Sequence, residues 1–586
     1  MVRSILGVAL AFCVLTAAAP VQAQEPPTTA VNKLGIDQDV RSGMKVLQDE
    51  ILAGTLTLPD LTSPTTTLDM VPQVQLRGSN TQANAPSGDN IQVFTGFRPF
   101  VHATQSEVST AAFGKNIVVG YNNSAGMHVT NNPSGPGLIV DRVQLSGVAA
   151  SHDGGQTWTA GFLPPSHNAT QTFGDPSVGV DRHGVFYYAT LAANATGQST
   201  VQVNSSHDRG TTWSEGVVVQ QDDGSDKEWL AVGPDPVQRS RDNVYVTWTS
   251  FQAACELRFG RSIDGGATWT AKTIFVPTSD PNPTHPTNCL QFSNPVVDSV
   301  TGSLYVPFLR FSNADQDFIQ MMISDDAGET FRFATFNATG APSLTVLPVL
   351  QPGQGTACGG TNIRLTIHGT LNPGPGKFGL PRYVNASRMT LQPAAAARNG
   401  IVYLAWSNGQ GSTYGAADAS DVWYVRSNDG GQTWNPPVMV NPAVVTDKHH
   451  VLPSLAIDAD PNDVHISYYT QHTDGSLDLD MANSHDRGDT FPADRTLRIS
   501  SSSFQLPPTN LPLSNAPTFR ATNFDRLIQV CYALGEYQSV TTANGSVFVG
   551  WGDTRGQITE PVNALDPISG QTHPQADVQV QKAKVQ

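Results

Sequence analysis

One octet recurs six times along the chain: SHDGGQTW from Ser151, SHDRGTTW from Ser206, SIDGGATW from Ser262, SDDAGETF from Ser324, SNDGGQTW from Ser427 and SHDRGDTF from Ser484. Successive copies begin 55, 56, 62, 103 and 57 residues apart, and the long interval holds a Gly/Pro-rich insertion from about Thr339 to Asn385 rather than a lost copy. A period near 56 makes the chain an array of similar units that bury one another's faces.

A second pattern precedes each octet. Alternating, β-branched and aromatic runs appear as NIVVGYN from Asn116, GVFYYATL from Gly184, NVYVTWTS from Asn243, SLYVPFLR from Ser303, IVYLAWSN from Ile401, DVHISYYT from Asp463 and SVFVGWGD from Ser546. Such runs read as half-buried strands. A shorter strand with a small or proline-marked start lies before them, as in DPSVGVD, NPVVDSV and LPSLAID. Each unit therefore reads as strand, strand, strand, octet turn, strand, and four antiparallel strands repeated about an axis make a β-propeller blade.

The expected fold is all-β, a propeller spanning residues 89–586, with seven blades, or six if the C-terminal unit completes an earlier one. The last unit carries no octet, and ADVQVQK supplies its third strand. Its missing outer strand is expected from NIQVF, Asn90–Phe94, which would join the two ends of the chain.

The octet itself is expected to be a hairpin clip. Its aspartate (Asp153, Asp208, Asp264, Asp326, Asp429 and Asp486) accepts N–H groups of its own turn, the glycines permit positive φ, Thr adds a hydroxyl, and Trp or Phe packs between sheets.

Residues 1–23 read as a signal peptide: Arg3, an apolar run from Ile5 to Ala19, and Val21-Gln22-Ala23, with cleavage expected after Ala23. No later stretch approaches the roughly 20 apolar residues of a membrane span. The destination is extracellular or periplasmic. Residues 24–88 read as an extension, with a short amphipathic helix at Asp37–Leu52 set in a Pro/Thr/Ser-rich linker. Removal of Cys13 leaves Cys255, Cys289, Cys358 and Cys531, for which three pairings exist. Cys255 and Cys289 fall in loops of neighbouring repeats and are expected to pair, leaving Cys358 with Cys531.

A net charge of −16 argues against a nucleic-acid-binding face or an anionic membrane surface. No cysteine spacing suits zinc and no contiguous loop has calcium-ligand spacing, so no cofactor is expected, with a structural calcium left open. The chain is expected to be monomeric.

Polar residues cluster just before the inner strands, where a propeller gathers them round one mouth of its axis: Glu107, Asp175, Asp226 with Lys227 and Glu228, Asn294, Arg388, His449 with His450, and Glu536 with Tyr537. The carboxylates can work as acid and base, and Arg388 can hold an anionic group. The structural alternative is that they cap turns, that Lys227 neutralises Glu228, and that the histidines are loop residues. Asp553 and Arg555 in WGDTRG read as a turn pair or a further candidate.

The motif S-x-D-x-G-x-T-W, repeated over residues 90–584, resembles the Asp-box of the sialidase superfamily, also called the BNR repeat. That resemblance implies a propeller, with Asp-boxes on the rim away from the active site, and a glycan or glycoconjugate as partner. It also implies exo-acting hydrolysis by an arginine triad, a tyrosine nucleophile with a glutamate partner, and an aspartate acid/base. On that basis the catalytic candidates are Tyr537, Glu107, Glu228 and Asp175, and the substrate-binding ones Arg388, Glu536, His449, His450 and Asn294. The chain departs from the family at its Arg-Ile-Pro motif, where QSEVST stands, and Arg98 in GFRPF lies ahead of the strand. That departure favours the other class of function, a non-catalytic propeller that binds glycan or protein.

Overall fold

The computed structural model describes residues 71–73, 80–84 and 105–583, less 124–125, 132–137, 167–168, 195, 253–254, 281–288, 312–316, 337–346, 350–365, 368–370, 376–380, 384–386, 389–391, 410–419, 445–446, 459–462, 506–533 and 560–571. The signal segment, the helix expected at Asp37–Leu52, NIQVF, Arg98, Cys358 and Cys531 lie outside the described residues. Among the described residues the chain is all-β and holds no α-helix. Among the described residues no helix is long and apolar enough to cross a membrane.

All seven alternating runs are strands: Asn116–Asn123, Phe186–Asn194, Asp242–Ser250, Leu304–Phe311, Ile401–Gly409, Val464–His472 and Ser546–Thr559. Each pairs antiparallel with the strand before it and with the strand after it, except that Asn116–Asn123 pairs onward with Ser146–Ser151, past a separate two-stranded ladder. The fifth and sixth groups merge into one nine-stranded sheet through the parallel bridge Ser420–His449.

Every octet follows a third strand and leads into a fourth, as from Ser146–Ser151 to Trp158–Phe162. Asp153 Oδ1 accepts the N–H of Thr157 at 2.9 Å, and Oδ2 accepts the Thr157 hydroxyl at 2.6 Å. The octet serine, to which the sequence reading gave no role, completes the turn: Ser151 donates to Asp153 Oδ1 at 2.8 Å and accepts the Gly155 N–H at 2.9 Å. The serine, aspartate and threonine make the same contacts in the other five copies. The octet aromatics pack between sheets: Trp158 joins Ile117 and Tyr121 to Phe548 and Val578, and Trp434 joins Tyr305 and Ile323 to Val425.

The inner strands are stitched to one another by side chains. Ser109 Oγ accepts the Val178 N–H at 2.9 Å, Ser177 that of Leu230 at 2.8 Å, Ser454 that of Val540 at 3.0 Å and Ser539 that of Thr110 at 3.0 Å. Asn294 Oδ1 does the same for Ala395 at 3.2 Å. A strand pairs with a strand of its own sheet along a ladder, so these bonds satisfy inward N–H groups that no ladder reaches.

The outer strand of the last sheet comes from the N-terminal part of the chain, at a different place from the one expected. Thr81 pairs with Val580 and Gln82 with Gln579, followed by an Ala83 N–H bond to the Val578 carbonyl. Asn84 then donates to Asp577 at 3.0 Å and accepts the Val578 N–H at 2.9 Å. A second N-terminal strand, Val71–Gln73, extends the first sheet beyond Trp158–Ala160.

Candidate functional site

The inner strands share a backbone device. Glu107, Asp175, Lys227, Phe292 and Leu452 all have φ between 50° and 59°, a left-handed conformation uncommon for side chains other than glycine. Each stands two residues before the inward-facing residue that follows it: Ser109, Ser177, Trp229, Asn294 and Ser454. Register breaks between Ser106 and Ser109, Asp226 and Trp229, and Val451 and Ser454 mark bulges there. A bulge re-aims a side chain, and in the first three sheets the re-aimed side chains are charged.

They converge on one lysine. Lys227 Nζ lies 2.8 Å from Glu536 Oε2, 3.4 Å from Glu107 Oε2 and 3.8 Å from Asp175 Oδ1. It also stands over the Tyr537 ring at 4.5 Å. Its own exposure is 2%. Gly535, with φ 74°, permits the approach: a Cβ there would sit 2.3 Å from the Glu107 backbone nitrogen.

Burial pushes the Lys227 ammonium down, and the attraction of Asp175, Glu107 and Glu536 overrides it, leaving the group above its ordinary value. Asp175 goes the other way: burial raises it, Lys227 draws it down, Glu107 and Asp226 add to the rise, and it ends well above the usual carboxylate range. Burial likewise raises Glu228, which its own backbone N–H draws down and Asp226 pushes up further. Glu228 is 1% exposed and neither of its oxygens meets a side-chain donor. Asp226 accepts a hydrogen bond from Gln291 at 2.6 Å. Glu107, Glu536 and Asp175 thus face the ammonium, and burial inclines Asp175 and Glu228 to keep a proton.

Tyr537 donates its hydroxyl to the Pro176 carbonyl at 2.9 Å and meets Trp229 edge-on, ring centres 4.7 Å apart. Burial raises its phenol well above 10, reinforced by Glu107 and Asp175.

The remaining candidates lie elsewhere. Asn294 binds the Ala395 backbone. His449 Nδ1 is 3.1 Å from Ser420 Oγ, and His450 faces Asp421 at 3.5 Å and the Tyr468 ring. The backbone of Arg388 pairs with Thr366 in a separate two-stranded ladder. Arg555 is bound by Asp553, which also takes the Trp551 indole N–H at 2.8 Å; the pair expected at a turn lies instead within the strand Ser546–Thr559, at the register break between Asp553 and Gly556. Among the described residues, the cation ion-paired with the carboxylate cluster is Lys227. The sequence reading expected this lysine to neutralise Glu228, whereas its ion pairs reach other strands.

Beyond the bulges the inner strands surround a cavity of about 330 Å³. Ser109, Trp229, Asn294, Ala396 and Ser454 are among its walls. Cys255 and Cys289 form a disulfide, as expected, across a separation of 34 residues.

No protein-family model matches the sequence, and no curated protein matches it. Solved structures do resemble it at low identity. The NanB sialidase of Streptococcus pneumoniae is 9% identical over 80% of this chain and 83% of that one, with a TM-score of 0.38. A Dyadobacter fermentans protein of unknown function is 14% identical over 72% and 97%, with a TM-score of 0.36. The α-L-arabinanase of Penicillium chrysogenum is 13% identical over 61% and 93%, with a TM-score of 0.31.

Proposed function

We propose that the chain is an exported, seven-bladed propeller that binds glycans and hydrolyses a glycosidic bond at the carboxylate cluster. The seven antiparallel strand groups and the Thr110–Ser539 bond between the first and last of them support the blade count. The disulfide supports export to an oxidising compartment.

One observation carries the enzymatic reading. Carboxylates in two settings lie side by side round Lys227: Glu107 and Glu536 paired with its ammonium, and Asp175 and Glu228 raised by burial. Glycoside hydrolysis needs such a pair, one acid that keeps its proton for the leaving oxygen and one carboxylate that is ionised. Glu228 and Asp175 fit the acid, and Glu107 and Glu536, ion-paired with Lys227, are the carboxylates left for the second role. Tyr537, its hydroxyl given to Pro176, fits a positioning role better than that of nucleophile.

The test is a panel of neutral and sialic-acid aryl glycosides assayed with the parent, Glu228→Gln and Tyr537→Phe. Turnover in the parent that falls about 10²–10⁴-fold in Glu228→Gln supports the reading. Rates equal to background throughout sink it.

The second reading, a binding propeller whose cluster is a structural hub, is favoured by burial: Glu107, Asp175, Glu228 and Glu536 are at most 1% exposed. It expects no turnover in the parent on any substrate of the panel.

A further inference from the structure

The axial cavity is distinct from the carboxylate cluster, and among the described residues no carboxylate lines it. Trp229 and Tyr537, in edge contact, stand between the two. At about 330 Å³ it falls at the small end of sites that hold small molecules.

Its polar groups are fixed and unspent. Ser109 and Ser454 accept backbone N–H groups of the next sheet, and Asn294 does so through Oδ1. A hydroxyl or amide engaged as acceptor keeps its own hydrogens for donation. Because those bonds tie sheet to sheet, the donors are held in place before any ligand arrives, which lowers the ordering cost of binding. The Thr110 hydroxyl is turned away from the cavity, buried against Gly550, and adds no donor there. The half-buried Trp229 supplies an aromatic wall, and Ala396 leaves the space open.

A ring of hydroxyl and amide groups beside one indole suits a molecule with many hydroxyls at its edge and an apolar C–H face. Charge decides between sugar classes. Arg398 also lines the cavity, its guanidinium tied to Ser299 Oγ at 3.0 Å, and against this single cation the acidic cluster beyond Trp229 and the net charge of −16 oppose an anion. No lining carboxylate is there to hold an ammonium.

We propose that the axial cavity is a binding site for an uncharged sugar of monosaccharide size, held by Ser109, Asn294 and Ser454 and stacked on Trp229. The site works by hydrogen bonding and shape, and needs no hydrolysis at the cluster.

The experiment is calorimetric titration of the full-length protein with galactose, arabinose, glucosamine and glucuronate. Galactose or arabinose should bind at least about tenfold more tightly than either charged sugar. Ala396→Leu, which narrows the cavity, should weaken binding at least about tenfold, and Arg398→Gln, which removes the lining cation, should leave the affinity for the neutral sugars unchanged. Glu228→Gln should leave this binding as it is, so the cavity and the hydrolytic reading are separable: binding without turnover keeps the first and rejects the second. A cavity that holds only water, shown by no heat with galactose or arabinose, overturns the proposal. Tighter binding of glucuronate overturns it too, as does binding that Ala396→Leu leaves unchanged.

Discussion

Lys227 and Glu536 meet at 2.8 Å across two sheets whose sequence positions are more than half the chain apart, and both are buried. The ammonium is shared with Glu107 and Asp175, so its removal strands several carboxylates at once. Lys227→Met should therefore cost about 3–5 kcal/mol, the scale for breaking a buried pair by deleting one partner. Urea denaturation of parent and variant checks this, and a loss below about 1 kcal/mol would show that water already reaches the cluster.

Glu228 predicts the opposite sign. Its folded-state value is raised chiefly by burial, so folding favours the protonated form. The native state is then penalised as pH rises above the unfolded carboxylate range, near pH 4, toward the raised value. Glu228→Gln should raise the melting temperature at pH 8 and leave it nearly unchanged at pH 4. A uniform shift at both values would tie the effect to packing instead of charge.

The octets give an acid-side prediction. Burial acts to raise each aspartate, and the threonine and serine hydrogen bonds together outweigh it, so all six stand below their ordinary value. Asp235, braced by Arg241, Asn243 and backbone N–H groups against its own burial, is held at about 2. A depressed carboxylate stabilises the fold above its unfolded value and loses that contribution as pH falls through the folded one. Stability should decline from about pH 4 downward. Asp264→Ala should cost about 1–3 kcal/mol through unmade turn bonds, with ligand affinity unchanged in the folded fraction. Melting curves at stepped pH, with sugar titration of the variant, test both halves.

Reduction of the Cys255–Cys289 bond opens a loop of 34 residues. By the chain-entropy relation the cost is about 3–4 kcal/mol. Guanidinium unfolding of the double serine variant measures it, and unchanged stability would mean that the unfolded chain is already constrained there.

The repeat made most of the fold readable. A strand that alternates over eight residues and a turn that recurs with Ser, Asp, Gly and Thr in fixed places leave little freedom, and both appear where the sequence puts them. The site was only partly readable. Glu107, Asp175, Glu228, Glu536 and Tyr537 could be gathered because each was read as preceding an inner strand; Glu107, Asp175 and Glu228 in fact lie within the strands. That Lys227 reaches Glu536 rather than its neighbour Glu228 depends on a left-handed residue at a bulge, and φ is invisible in a sequence unless glycine marks it. The serine two places beyond, in EVS, DPS and LPS, was the available signal for the inter-sheet bonds. The outer strand of the last sheet was misplaced because two paired residues, Thr81 and Gln82, leave no periodicity to detect.

That short strand also sets an order of events. Thr81 finds its partner Val580 only after 499 further residues have been joined to the chain. At the usual pace of synthesis this is a wait of roughly 25–100 s. Throughout it the last sheet lacks its edge and the first residues of the ring lack a place to go, so the organism that makes this protein must shelter a growing chain whose beginning and end are needed together.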